Sequence, residues 1–450
     1  MIRRQCPIRR ASPRDGWHYW FGYYDKCPWS PDGSMLLAHR ARFCDRFPEP
    51  DDIAEVGYIE AWDTDAPRFV RVADTRAWNW QQGAMLSWTT DHSGAPAIRF
   101  NDRQEGAPVA RTMRLDGGVT DAPGFGQSRG RVPTPAAYSV HEATGRALTL
   151  SFARLSRLRP EYGYPGLIDP RAAEPSPADD GIYRIEGDGL RLIVSIEQLD
   201  CITADGADRA GGLLHQHVNH LMFNPSGTRF CFMHRFERED GILHSRLFTS
   251  DIEGRDLRLL FEGMCSHYDW RDDTTILAWA GRRSLLGSVG TAGNPLEQVM
   301  TLARRGLKPV YYALGKPRIL MNKIMKDSYL FISDVDLRAP GAPAPQTFAK
   351  GELTCDGHCT FNRGGAEPGR WVLTDGYPDL KSRQPLFLWD CRENKGYEIG
   401  RYPTPRMLDG PIRVDLHPRF HHDATLACID SAMDGKRAMY VVDVRTLPDA

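Results

Sequence analysis

The chain has 450 residues, of which 41% are hydrophobic and 26% charged. That is the balance of a globular protein with a sizeable core and excludes a disordered or fibrous one. Its formal net charge of −1 excludes a global electrostatic drive toward nucleic acid or anionic lipid. The opening stretch MIRRQCPIRRASPRDG lacks the apolar centre of a signal peptide, and the 10 Cys form no CxxC pair. No apolar run approaches the length of a membrane span. A cytoplasmic protein with reduced thiols, and with neither a membrane nor a nucleic-acid partner, is expected.

Aromatic residues at 10%, with 42 Gly and 32 Pro, favour many short strands and tight turns. After an N-terminal QCPIRRAS with no unit of its own, one hairpin pattern recurs along the chain. A strand ends on a large apolar anchor, a turn rich in Asn, Asp, Ser, Pro and Gly follows, and an apolar strand leaves the turn. The copies are YYDKCPWSPDG (anchor Trp29), QQGAMLSWTTDHSG (Trp88), AAYSVHEATG (Val140), VNHLMFNPSG (Phe223), CSHYDWRDDT (Trp270), DGHCTFNRGG (Phe361) and DLHPRFHHDA (Phe420). Three further strands follow the first anchor in SMLLAHRAR, VGYIEAW and RFVRVAD, and the fourth in TRFCFMHRF, SRLFTSDIEG and DLRLLFEG. Units of this size suit four-stranded propeller blades. The two longest intervals leave room for insertions, a Pro-rich one near 156–180 and one near 283–326 containing the helical pattern NPLEQVMTLARR. The last unit runs out after RAMYVVDV, and its missing outer strand would leave an open edge. The expectation is an all-β, seven-bladed β-propeller over residues 1–450, closed by the N-terminal strand. Two stacked β-sandwiches are the competing arrangement.

Three residues before the anchors stand Lys26, Met85, Ala137, His220, His267, His358 and His417. The first strand of a propeller blade lines the central channel. Four histidines in register on successive blades therefore converge on the axis. Imidazole is the commonest protein ligand for transition metals, so one divalent ion, Zn or Mn, held by His220, His267, His358 and His417 is expected. Asp269, Asp356 and Asp415 stand near enough to orient them or add ligands. A hydrogen-bonded histidine cluster around channel water is the plainer alternative.

The second strands end on the same face with Arg40, Arg103, Arg154, Arg235 and Arg282. Guanidinium forks suit carboxylates, sulfates and phosphates. With the aromatic loop RPEYGYPG, carrying Tyr162 and Tyr164, they point to an acidic oligo- or polysaccharide.

The unit pattern with channel histidines resembles the oligogalacturonate lyases. The stretches WNWQQG, RFND, YSVHEATGRALTLSFARLSRLRPEYGYP and SHYDWRDDTTILAWA resemble the propeller-type ulvan lyases. The resemblance implies β-elimination on uronate-containing glycans. It implies that Tyr138 serves as base, acid or both and that Arg154 neutralises the reacting carboxylate, because the ulvan group places a Tyr and an Arg at this spacing. His141 or His215 is the spare base. That group's two additional histidines are replaced here by Gln82 and Asn101, which are read as substrate-binding residues. In the oligogalacturonate group channel histidines and a Gln hold manganese. The matching positions are His267 and His358, with Gln216 a loose candidate. A non-catalytic propeller that binds an acidic glycan or a protein partner, and a metal-dependent glycan hydrolase, are the alternatives.

Overall fold

A computed structural model describes residues 1–120, 134–203, 213–238, 243–281 and 327–447. The all-β expectation holds: six sheets form among the described residues, each built from strands that are consecutive in the chain apart from two N-terminal additions. No described helix is long and apolar enough to cross a membrane.

The recurring turn explains the recurring sheet. Gly33, Gly94 and Gly227 close three of these turns at φ +74°, +82° and +66°, a left-handed conformation that glycine adopts without strain. In the Asn224–Gly227 turn, Asn224 Oδ1 accepts the N–H groups of Thr228 (2.9 Å) and Arg229 (3.0 Å). Six of the seven anchors end, or lie within, a strand, as Phe223 does in Leu214–Phe223 and Trp270 in Arg258–Trp270, whereas Trp29 makes only an isolated bridge to Leu36. Strand Arg229–Glu237 is buried on both faces, which is why RFCFMHRF reads as an almost continuous apolar run rather than an alternation. Trp20, Trp29, Trp78, Trp270 and Trp279 are all fully buried between the sheets, each contributing on the order of 1.5–3 kcal/mol or more of apolar transfer free energy.

Two sheets are fused. DLRLLFEG and CSHYDW, read from sequence as separate strands, form one strand, Arg258–Trp270. Its first half pairs with Leu243–Asp251 and its second half with Thr275–Gly281. At the N-terminus, Ile2–Arg3 adds a parallel strand beside Lys395–Pro403, and Ile8–Arg10 lies antiparallel to Ala438–Asp443. The latter is the outer strand of the sheet that begins at Arg419–Phe420. The insertion near 156–180 falls between strands Arg146–Leu150 and Gly181–Glu186 and carries helix Phe152–Leu158 and the turn Pro160–Tyr162. The insertion near 283–326 and Arg282 lie outside the described residues.

Candidate metal centre

The inner strands bulge where the histidines stand. Pairing shifts register between Asn219 and Met222 and between Cys265 and Tyr268. This removes His220 and His267 from the ladder and turns them toward the channel. His220 and His417, like Met85 at the corresponding place, have positive φ values of 56°, 43° and 55°. Each costs on the order of 1–3 kcal/mol, a strain that persists only where surrounding contacts impose it. Side chains supply those contacts. The His220 N–H donates to the Tyr138 hydroxyl (3.0 Å). The N–H groups of His358 (2.7 Å) and His417 (3.1 Å) donate to the two oxygens of the Asp375 carboxylate.

His358 and His417 are edge to face, with ring centroids 4.2 Å apart, and the His267 ring lies 4.0 Å from His358 on the other side. The Nδ1 of His358 is 2.9 Å from Asp375 Oδ1, and that of His267 is 2.9 Å from Asp356. A carboxylate at Nδ1 fixes the tautomer with the proton there and leaves Nε2 as a lone pair. The Nε2 atoms of His358 and His417 are buried and have no protein partner. One ring nitrogen of each histidine and an Asp415 oxygen lie within 4.8 Å of one another. Two buried imidazoles, each with an unpartnered Nε2, and a carboxylate form a donor set that fits a divalent transition metal.

The electrostatics agree with that fit. Burial depresses the proton affinity of His417 and His267, and the neighbouring His358 adds to the effect in both. Burial acts the same way on His358, but the charges of Asp375 and Asp415 outweigh it and raise its proton affinity. The negative potential that would hold a proton on His358 would equally hold a metal cation.

The expected four-histidine set is therefore partly regrouped. His220 lies 6.3 Å from His267, ring to ring. Its Nε2 meets the Tyr23 hydroxyl at 3.1 Å, with the two rings stacked. His267 adjoins the three-residue group without entering it. Lys26 does not reach the channel: it pairs with Asp25 at 2.7 Å and lines a cavity of about 320 Å³ with Cys27, Asp269 and Arg363. Tyr23 and Tyr24 occupy the channel instead, against His358 and His417.

The residues implied by the ulvan-type resemblance are engaged elsewhere. Arg154 sits on helix Phe152–Leu158, 2% exposed. It pairs with Asp180 at 2.9 Å and donates to the carbonyls of Gln216, Arg171 and Glu174. That leaves no fork for a substrate. Tyr138 is 1% exposed; its hydroxyl accepts from Gln82 Nε2 at 2.8 Å as well as from His220, and burial pushes its proton affinity above the usual tyrosine range. Asn101 fastens Ala137 and the Tyr164 hydroxyl. His141 bonds Thr144 and the Pro225 carbonyl at the turn end of its hairpin. His215 is more than half exposed, 3.9 Å from Glu237. Gln216 bonds His234, not an ion site. Arg40 is matched by Glu55 at 2.6 Å, and Arg103 by the Pro165 carbonyl at 3.0 Å.

Arg235 and Tyr162 remain beside the centre, joined by residues the sequence did not single out. The Tyr162 ring is 5.4 Å from that of His220. Its hydroxyl accepts from Arg413 at 3.2 Å, and Arg413 pairs with Asp415 at 2.6 Å. The Arg159 guanidinium stands 5.1 Å from the Tyr162 ring centroid. Burial first, then the Arg159 charge, hold the proton affinity of Arg235 below the usual arginine range.

Two solved structures superpose on nearly the whole chain. A manganese complex of oligogalacturonate lyase matches at a TM-score of 0.57 and 13% identity, covering 99% of this chain and 94% of its own. Oligogalacturonate lyase from Vibrio parahaemolyticus matches at a TM-score of 0.55 and 12% identity, covering 98% and 94%. The chain shares the fold of these structures. No protein-family model and no curated protein matches it.

Proposed function

We propose that the protein is a metal-dependent lyase that cleaves uronate-containing glycans by β-elimination, built on a seven-bladed β-propeller closed where Ile8–Arg10 meets Ala438–Asp443. The observation that carries the reading is the grouping of His358 and His417, each with a buried, unpartnered Nε2 atom, with Asp415. The shared fold with two oligogalacturonate lyases, one of them a manganese complex, supports it.

His358, His417 and Asp415 would hold the ion. Zn suits the imidazoles and Mn the mixed nitrogen and oxygen set. When bound, it supplies positive charge that acidifies the C5 proton of a coordinated uronate. The base must be neutral, close by and free on one nitrogen. His267 meets those terms, with Nδ1 held by Asp356 and its proton affinity lowered by burial; Tyr138 does not. His267 takes the C5 proton, the C5–H electrons form the C4–C5 double bond, and the C4–O bond breaks. The departing oxygen takes a proton from solvent or from a channel hydroxyl. Arg413, bonded to Asp415, the Gly410 carbonyl and the Tyr162 hydroxyl, positions the Asp415 carboxylate.

Incubation with oligogalacturonates and Mn or Zn should generate the ultraviolet absorbance of a 4,5-unsaturated product, abolished by His267→Ala. Saturated reducing ends without that absorbance would mean hydrolysis. No reaction on any uronate glycan would leave binding without catalysis.

A further inference from the structure

Arg235 stands at this face without a matching carboxylate among the described residues. Its Nη atoms meet only neutral groups, Ser245 Oγ at 3.3 Å and Met233 Sδ at 3.2 Å, and its Nε is buried with no partner. No carboxylate forms an ion pair with it among the described residues. Arg154, by contrast, is matched by Asp180, Arg159 by Glu161 and Arg413 by Asp415. Arg235 is only partly buried, so an arriving anion can reach its guanidinium and supply the counter-ion that the described residues do not.

The neighbourhood is unfinished in the same sense. His217, which pairs with Arg235 across the two strands, has a buried Nε2 with no partner; so do the side-chain amide of Asn219 and the Nδ1 of His220. Arg159 adds a second positive charge nearby. Tyr162 ties this corner to the metal set through Arg413 and Asp415.

We propose that Arg235, supported by Arg159 and by the unpartnered polar atoms of His217 and Asn219, is a carboxylate-binding subsite separate from the metal centre, made for a uronate adjoining the one that reacts. The inference rests on the lyase reading for its choice of carboxylate. It makes the preferred substrate one with acidic sugars in succession rather than an isolated uronate in a neutral chain. Arg235 is a specificity residue here: it touches the substrate away from the bond that breaks.

Calorimetric titration with galacturonate, which has no glycosidic bond to eliminate, tests this. Wild-type protein should bind galacturonate and not galactose. Arg235→Met should weaken binding at least tenfold, Arg235→Lys should fall between, and His417→Ala should retain most of it. Because Arg235 is partly exposed and makes no ion pair among the described residues, Arg235→Met should melt within a few degrees of wild type, so that lost binding is not lost folding. Undiminished binding by Arg235→Met, a melting temperature lower by more than a few degrees, no binding by wild type, or competition by inorganic phosphate as strong as by galacturonate itself would each overturn the subsite. Arg235-dependent galacturonate binding in a protein that yields no unsaturated product would sink the lyase reading and leave the subsite standing.

Discussion

Asp375 does at residue scale what no neighbouring group can replace. One carboxylate accepts the N–H groups of both His358 and His417 and the His358 Nδ1 proton. Asp375→Asn keeps the shape but supplies a single acceptor oxygen. It should weaken metal binding about 10- to 100-fold and lower the melting temperature, as a metal titration and a thermal scan would show. Arg154→Ala should act on stability rather than on chemistry. Breaking the buried pair with Asp180, each side chain 3% exposed, should cost on the order of 3–5 kcal/mol in denaturant unfolding. The nearness of His267, His358 and His417 was legible because a common offset from an anchor is a statement about register, which sequence carries; that His220 would bond Tyr23 instead was not. The engagement of Tyr138 and Arg154 was not: spacing says nothing of the Gln82 amide or the Asp180 carboxylate that occupies each. Of the three carboxylates the sequence offered as orienters or further ligands, Asp269, Asp356 and Asp415, it is Asp415 that joins His358 and His417.

The neutral histidines also set a pH limit. His39 is fully buried, its Nε2 accepting the Ala84 N–H at 3.0 Å and its ring stacked on Trp20. Burial pushes its pKa down to about 3, and that of His217, which Arg159 also repels, to about 3. Unfolded histidine titrates near pH 6.5, so between roughly pH 6.5 and 3 the unfolded chain binds the protons these two refuse. Stability should therefore fall with falling pH across that window, by about 1.4 kcal/mol per pH unit for each fully shifted group. Denaturant unfolding at several pH values measures the slope. A flat profile from pH 6.5 to 5 would contradict the buried neutral state.

At the scale of elements, the N-terminal residues complete two sheets that begin hundreds of residues later. Ile2–Arg3 and Ile8–Arg10 cover the outer edges of Lys395–Pro403 and Ala438–Asp443. Deleting residues 1–12 would expose both edges and the apolar cluster that Cys6 helps seal. A drop of several degrees in melting temperature and a rise in aggregation are expected, and unchanged melting would show the segment to be dispensable. The need for an outer strand was readable because the last unit ends after its third strand. The fusion of two sheets by Arg258–Trp270 was not, because nothing in LLFEGMCSHYDW breaks the strand and only the change of partners marks the boundary. The segment before Trp29 misled for a related reason. The offset rule expected Lys26 in the channel, whereas the chain leaves the ladder after Trp20. Gly22, at φ +128° and packed against the Gln82 carbonyl where a Cβ would clash, lets it insert Tyr23 and Tyr24.

For the whole molecule, three successive units of the second half of the chain meet at one polar centre: His267 lies in Arg258–Trp270, His358 just before Thr360–Phe361, and Asp415 and His417 just before Arg419–Phe420. An ion held there would join the sheet of Thr360–Phe361 to that of Arg419–Phe420 and stabilise the assembled state by its binding free energy. Elemental analysis of protein purified without a polyhistidine tag and dialysed against Mn or Zn tests this centre most directly. The account predicts close to one equivalent of divalent metal per chain, with a higher melting temperature than chelator-treated protein, and loss of both in His358→Ala and His417→Ala. A folded wild-type protein that takes up no metal and melts identically with and without chelator would contradict it.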